Sequence, residues 1–122
     1  MNLRDSLQTQ ELALLHEDWR SRAAELERLL APDFIEVAGN GRVTSREQVL
    51  AWLLAKDPAA RWACDQWQLH DYGAELCLLR YHARQVAPVP SAGQGAWHAS
   101  LWGVDTALGY WRLRYHQASK IL

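Results

Sequence analysis

Cysteine is scarce in this sequence, with two residues in 122. Cys64 and Cys77 have neither the close spacing of a metal site nor the density of a secreted disulfide framework, so buried free thiols are expected. Neither charge sign is in excess: 13 basic residues face 14 acidic ones, for a net charge of −1, with no long single-sign block. That balance disfavours a nucleic-acid backbone as partner. No window approaches the roughly 18 apolar residues of a membrane span, and the start MNLRDSLQTQ has no apolar core of a secretion signal. A soluble, cytoplasmic protein without membrane or nucleic-acid partners is the expectation. The patterns HExxH, GxxxxGK and GxGxxG are also missing, so no metal and no cofactor is expected. Gly39-Asn40-Gly41 and Gly93-Gln94-Gly95 are too short for phosphate loops and read as turns.

What is present is apolar and aromatic volume. The hydrophobic share is 49%, and six of the seven tryptophans fall between Trp52 and Trp111. Residues 1–122 fit a single domain, which at this size buries roughly two thirds of its unfolded surface.

The first third reads as helical. Leu7, Leu12, Leu15 and Trp19 recur at helical spacing while Glu11, Glu17 and Asp18 occupy the remainder, the pattern of an amphipathic helix over Ser6 to Trp19. Ala23, Leu26, Leu29 and Leu30 continue as a second helix after a break near Trp19 to Ser21, and Pro32 stops it at Ala31. Phe34, Ile35 and Val37 form a short strand, reversed at Gly39-Asn40-Gly41. Thr44 and Ser45 precede Glu47 and Gln48 with capping-box spacing, opening a third helix through Leu54 that Asp57-Pro58 ends.

The remainder alternates as strands do. Trp62 to Asp71 and Ala74 to Gln85 form a hairpin around Tyr72-Gly73. A two-residue turn there sets Asp65 opposite Arg80 and Trp67 opposite Leu78, but a one-residue slip exchanges the faces, so the inward face stays open. The last hairpin, His98 to Gln117, breaks over Gly103 to Gly109. Alternation puts His98, Ser100 and Trp102 on one side of its first strand. It puts Trp111, Leu113, Tyr115 and Gln117 on one side of its second, and His116 with Arg112 and Arg114 on the other. Large apolar surface with a few polar tips is the chemistry of a ligand pocket. Helices first, then strands, define an α+β domain with helices packed on one side of a curved sheet.

The segment PDFIEVAGNGRVTSREQVL, then LCLLRYHA, then SLW followed by YWRLRYHQAS, resembles the SnoaL-like branch of the nuclear transport factor 2 superfamily, especially its small bacterial members. The resemblance covers nearly the whole chain. It implies a cystatin-like, cone-shaped α+β roll with about three N-terminal helices on a mostly antiparallel sheet, a pocket inside the cone, and a homodimer through the outer face of the sheet. Ketosteroid isomerase, scytalone dehydratase, polyketide cyclases, limonene epoxide hydrolase and the association domain of calmodulin-dependent kinase II share that superfamily, so fold alone selects no activity.

Such a chain suits three kinds of function. In the leading one, the pocket binds a small apolar or aromatic metabolite: Trp102, Trp111 and Tyr115 supply stacking area, while Arg80, His98, Ser100 and Gln117 orient polar groups. In the second, an isomerase, dehydratase or cyclase uses Glu36 or Asp65 as base with Tyr81 or His98 as its electrophilic partner. Glu36 shares a face with Phe34, where burial would raise its pKa; the plainer alternative is a salt-bridged structural carboxylate. Asp65 and Arg80, paired across the hairpin, are similar to the Asp and Arg sites of epoxide hydrolysis, without a third acidic match; a cross-strand ion pair is the simpler reading. Arg80 also suits an anionic ligand, although Gln117 stands where the kinase association domain has a basic residue. His98 and Ser100 are about 6 to 7 Å apart by strand rise, too far for direct activation of Ser100. The third reading is a dimerisation or protein-interaction module with the aromatic sheet as its interface.

Overall fold

The computed structural model describes residues 2–122. Helix α1, Leu3–His16, is capped by Asn2, whose side chain accepts the Asp5 N–H at 2.8 Å. Its buried stripe is Leu7, Glu11 and Leu14, an i, i+4, i+7 set that includes a carboxylate. After a turn closed by Arg22 N–H on the Trp19 carbonyl, α2 runs Ala23–Leu29.

Strand β1, Leu30–Val37, begins two residues before Pro32, so the second helix stops earlier than Ala31. The physical reason is that Leu30 already pairs with Leu113, and the residue ahead of a proline favours extended geometry. Pro32 itself sits within the irregular stretch between Leu30 and Ile35, where no ladder donor is required of it. The turn after β1 is held by Asn40, whose side chain accepts the Arg42 N–H, and by Gly41 at φ 84°. It leads to β2, Val43–Ser45, a short strand that the sequence reading did not contain.

Helix α3, Arg46–Ala55, opens on the capping box anticipated from the sequence: Gln48 N–H donates to Ser45 Oγ, and Ser45 N–H donates to Gln48 Oε1. Then come β3, Arg61–Asp71, β4, Leu76–Ala87, β5, Ala96–Asp105, and β6, Tyr110–Lys120. The six strands form one sheet in the order β2-β1-β6-β5-β4-β3, antiparallel throughout except for the parallel β1–β6 pair. The three helices pack on this mostly antiparallel open sheet, an α+β fold. Leu7 and Leu26 of the helices meet Leu30, Cys77, Leu79, Tyr81 and Trp102 of the sheet in a fully closed core.

Two irregularities decide which side chains face that core. In β3, Gln66 has φ 57° and the register shifts between Asp65 and Gln68, so Trp62 and Cys64 face inward before it and Trp67 and Leu69 after it. The β3–β4 turn is also longer than two residues, since Asp71 pairs with Cys77. Asp65 therefore faces His82, and Arg80 faces Gln68, correcting the expected Asp65–Arg80 pair. In β6, Leu101 pairs with Tyr115 while Trp102 pairs with Leu113, leaving Arg114 as an extra residue. Leu113 and His116 consequently share the inner face, and Tyr115 and Gln117 turn to the outer one.

Candidate functional site

A cavity of about 740 Å³ lies between α1, α3 and the inner face of the sheet, within the usual range for small-molecule sites. Leu14, Phe34, Val49, Leu53, Trp62 and Leu113 give it apolar walls. Its polar groups are few: Glu11, Glu36, Arg42, Thr44, Gln48, Tyr81, His98 and His116.

Strand register brings the polar groups together. Glu36 and His116 are neighbours across the parallel β1–β6 pair, His116 is opposite Ser100, and His98 is opposite both Tyr81 and Ala118. Glu36 Oε2 is 2.7 Å from His116 Nδ1, and His116 Nε2 is 2.9 Å from His98 Nδ1. These contacts form one chain from carboxylate to imidazole to imidazole. The Tyr81 ring stacks on His98 at 5.0 Å and on Trp67 at 4.3 Å, fixing the plane of the terminal imidazole. The Tyr81 hydroxyl donates to Glu11 Oε2 at 2.8 Å, and Trp102 Nε1 donates to Glu11 Oε1 at 3.0 Å. Both oxygens of this buried carboxylate are thus satisfied, as burial of a charge demands.

The surroundings polarise the chain. Burial pulls His98 down to about 3, and the neighbouring His116 and His82 act in the same direction, so this ring is neutral near pH 7. Burial also pulls His116 down, yet its hydrogen bond to Glu36 and the charges of Glu11 and Glu36 outweigh that and hold it above its ordinary value. Burial, followed by the charge of Glu11 and the hydrogen bond to it, pushes the Tyr81 hydroxyl well above the usual phenol range. Cys64 is pushed up to about 11, chiefly by burial, which leaves an unreactive thiol.

The residues singled out from the sequence divide by face. Glu36, Tyr81 and His98 line the cavity. Asp65 is exposed on the outer face, bonded to His82 Nδ1, and Arg80 is exposed beside it, donating to Gln68 Oε1. Ser100 is fully buried with no partner for its hydroxyl among the described residues, and Trp102 is spent on Glu11; neither reaches the cavity wall. Trp111 packs half-buried against the core, away from the cavity. Tyr115 and Gln117 bond to one another on the outer face, so the expected cavity positions for them fail at the Arg114 bulge. The same bulge moves His116 from the expected outer face into the site.

Two participants escaped the sequence reading. Glu11 was grouped with the solvent face of its helix, although its spacing from Leu7 and Leu14 places it on the buried stripe. His116 carried no signal of its own, because strict alternation points it outward. Among the described residues, no three His, Cys, Asp or Glu side chains converge as a metal site, and no helix is long and apolar enough to cross a membrane.

The architecture is that of the nuclear transport factor 2-like proteins, a cystatin-like α+β fold. An NTF2-like protein from Cytophaga hutchinsonii superposes with a TM-score of 0.77 at 16% identity, over 99% of this chain and 100% of that one. An NTF2-like protein of unknown function in nutrient uptake from Rhodospirillum rubrum gives 0.73 at 18% identity, over 100% of both chains. The CaMKII hub homology domain of Chlamydomonas reinhardtii gives 0.72 at 12% identity, again over 100% of both. At these identities the likeness establishes the fold. No protein-family model matches the chain, and no curated protein matches it.

Proposed function

We propose that the chain binds one small, largely apolar or aromatic molecule in the cavity and fixes that molecule's polar group at His98. The observation that carries this reading is His98 Nε2: Nδ1 is taken by His116, while Nε2 has no protein partner among the described residues and stands in a largely apolar cavity. A panel of aromatic ketones and alcohols in thermal-shift measurements tests it. A ligand held at 100 times its Kd should stabilise the fold by about 2.7 kcal/mol. Thr44→Trp, at a half-buried wall position on the edge strand, should abolish the gain. No stabilisation by any member, or equal stabilisation of the filled variant, overturns the reading.

The hydrogen-bond chain favours a second reading, proton-transfer catalysis of the isomerase, dehydratase or cyclase kind. His98 would then be the group that meets substrate, with Glu36 a positioning residue acting through His116. Asp65 lies on the opposite face of the sheet and has no part in this reading.

The outer face supports homodimerisation. It exposes Ile35 and Trp97 at 45% and 46%, close to Leu101 and Tyr115, an apolar surface of the kind that marks interfaces. Light scattering should find a dimer that Trp97→Glu converts to a monomer; a wild-type monomer at high concentration removes this part. The cytoplasm fits a chain whose two cysteines are both free.

A further inference from the structure

We propose that Glu36, His116 and His98 form a proton-gated selector, in which the charge on His116 decides whether His98 Nε2 offers the cavity a hydrogen-bond donor or an acceptor. The cavity would then take carbonyl-type ligands in one state and N–H or O–H donors in the other. This rests on the cavity-binding reading above.

The hydrogens on these three side chains are fixed by their contacts. A carboxylate only accepts, so the 2.7 Å contact with Glu36 requires a hydrogen on His116 Nδ1. The 2.9 Å contact between the two rings holds one hydrogen, either on His116 Nε2 or on His98 Nδ1. When His116 is the imidazolium, it donates to His98 Nδ1, and neutral His98 must carry its own hydrogen on Nε2. When His116 is neutral, its Nε2 accepts, and His98 must carry its hydrogen on Nδ1, leaving Nε2 as a lone pair.

The change between the states moves two protons and releases one. The His98 Nε2–H bond breaks toward the cavity, the His116 Nε2–H bond breaks, and the His98 Nδ1–H bond forms. Positive charge therefore disappears at one ring while the proton departs from the other. The stack of Tyr81 on His98 holds the ring plane throughout, and because the Tyr81 hydroxyl donates to Glu11 it does not compete as a donor to ligand.

The groups around His116 make it the ring that titrates. Glu36 faces it from β1, Glu11 acts on it from α1, and Tyr81 and His98 stand on β4 and β5. Arg42, ahead of β2, is the remaining titratable group on the cavity wall among the described residues, since α3 contributes Gln48 and apolar side chains. On its own strand, Arg112 and Arg114 are paired with Asp105 and Asp33 away from the cavity. His98, pulled down by burial, stays uncharged while His116 gains or loses its proton.

The test uses the whole chain labelled with 15N-histidine, followed by long-range proton–nitrogen correlation across neutral pH. His98 is expected to pass from the Nε2–H to the Nδ1–H form at the pH where His116 loses its charge. Glu36→Gln should move that midpoint to lower pH. Two probes read the selection: acetophenone, which only accepts, and indole, whose N–H only donates. Acetophenone should weaken and indole tighten, each by about tenfold, as pH rises through the same midpoint. A His98 tautomer that stays fixed while His116 titrates, or a charge that appears on His98 instead, overturns the inference alone. So does binding of both probes without inversion of preference. A tautomer change with neither probe bound overturns the binding reading, and the selector with it.

Discussion

Tyr81→Phe isolates the group that holds the cavity floor together. The substitution keeps the ring and its stacking on Trp67 and His98, and removes only the hydroxyl that donates to Glu11 Oε2. Glu11 and Tyr81 are 3% and 1% exposed, so water does not readily replace the lost donor. A hydrogen bond to a charged group contributes about 1.5 to 3 kcal/mol, and an orphaned buried acceptor costs the upper part of that range. The expected loss is therefore about 2 to 3 kcal/mol. With an unfolding entropy of about 2.1 cal/mol/K per residue, the 122-residue chain should melt roughly 8 to 12 °C lower. Urea unfolding followed by tryptophan fluorescence measures the loss directly, and an unchanged m value would show that the unfolded state is not involved. In a Glu11→Gln background the same change should cost less, because the partner is no longer a charge. A loss below about 0.5 kcal/mol in the wild-type background would refute the claim that this buried carboxylate depends on Tyr81.

Acid should weaken the fold through His98. The folded chain keeps this ring neutral down to about pH 3, whereas the unfolded chain takes up a proton near the ordinary value of 6.5. Between those values the unfolded state binds more protons, so stability falls as pH falls, by up to about 1.4 kcal/mol per pH unit from this group. His98→Gln should flatten that limb in urea titrations at successive pH values; an unchanged slope would count against the buried neutral ring. Just ahead of His98 in the chain, Gly95→Ala should cost about 2 kcal/mol in the same assay. The new Cβ would stand 2.3 Å from the Ala83 carbonyl oxygen at φ +83°, while Gly73→Ala, with open space around it at φ +104°, should cost about half as much. Equal losses would assign both effects to backbone conformation alone.

Much of the architecture was legible because local chemistry announces it. Ser45 and Gln48 marked the start of α3, Asn40 and Gly41 marked a reversal, and Pro32 marked the boundary between helix and strand to within two residues. The cavity wall was less legible, since alternation is a parity count and one extra residue inverts everything after it. The extra residues are Gln66 and Arg114, neither of them a glycine, and a lone Asp65 beside the first is no turn signal within an alternating strand, so composition gave no warning. Phe34 and Glu36 lie ahead of both bulges and in another strand, and their shared inward face could be counted. Tyr115, His116 and Gln117 lie beyond Arg114 and could not. Glu11 was hidden differently: a charged residue on an amphipathic helix reads as solvent-facing until both of its oxygens are seen to have donors.

The chemistry of the interior depends on Arg114 standing out of the ladder. Were the strand instead to keep that residue and take it into an unbroken ladder with β5, every later side chain would turn to the opposite face of the sheet. A phenol and an amide, from Tyr115 and Gln117, would then enter the hollow, while the imidazole of His116 would leave Glu36 for the outside. Two differently furnished chambers are written in the same string of letters, separated by a single step of pairing.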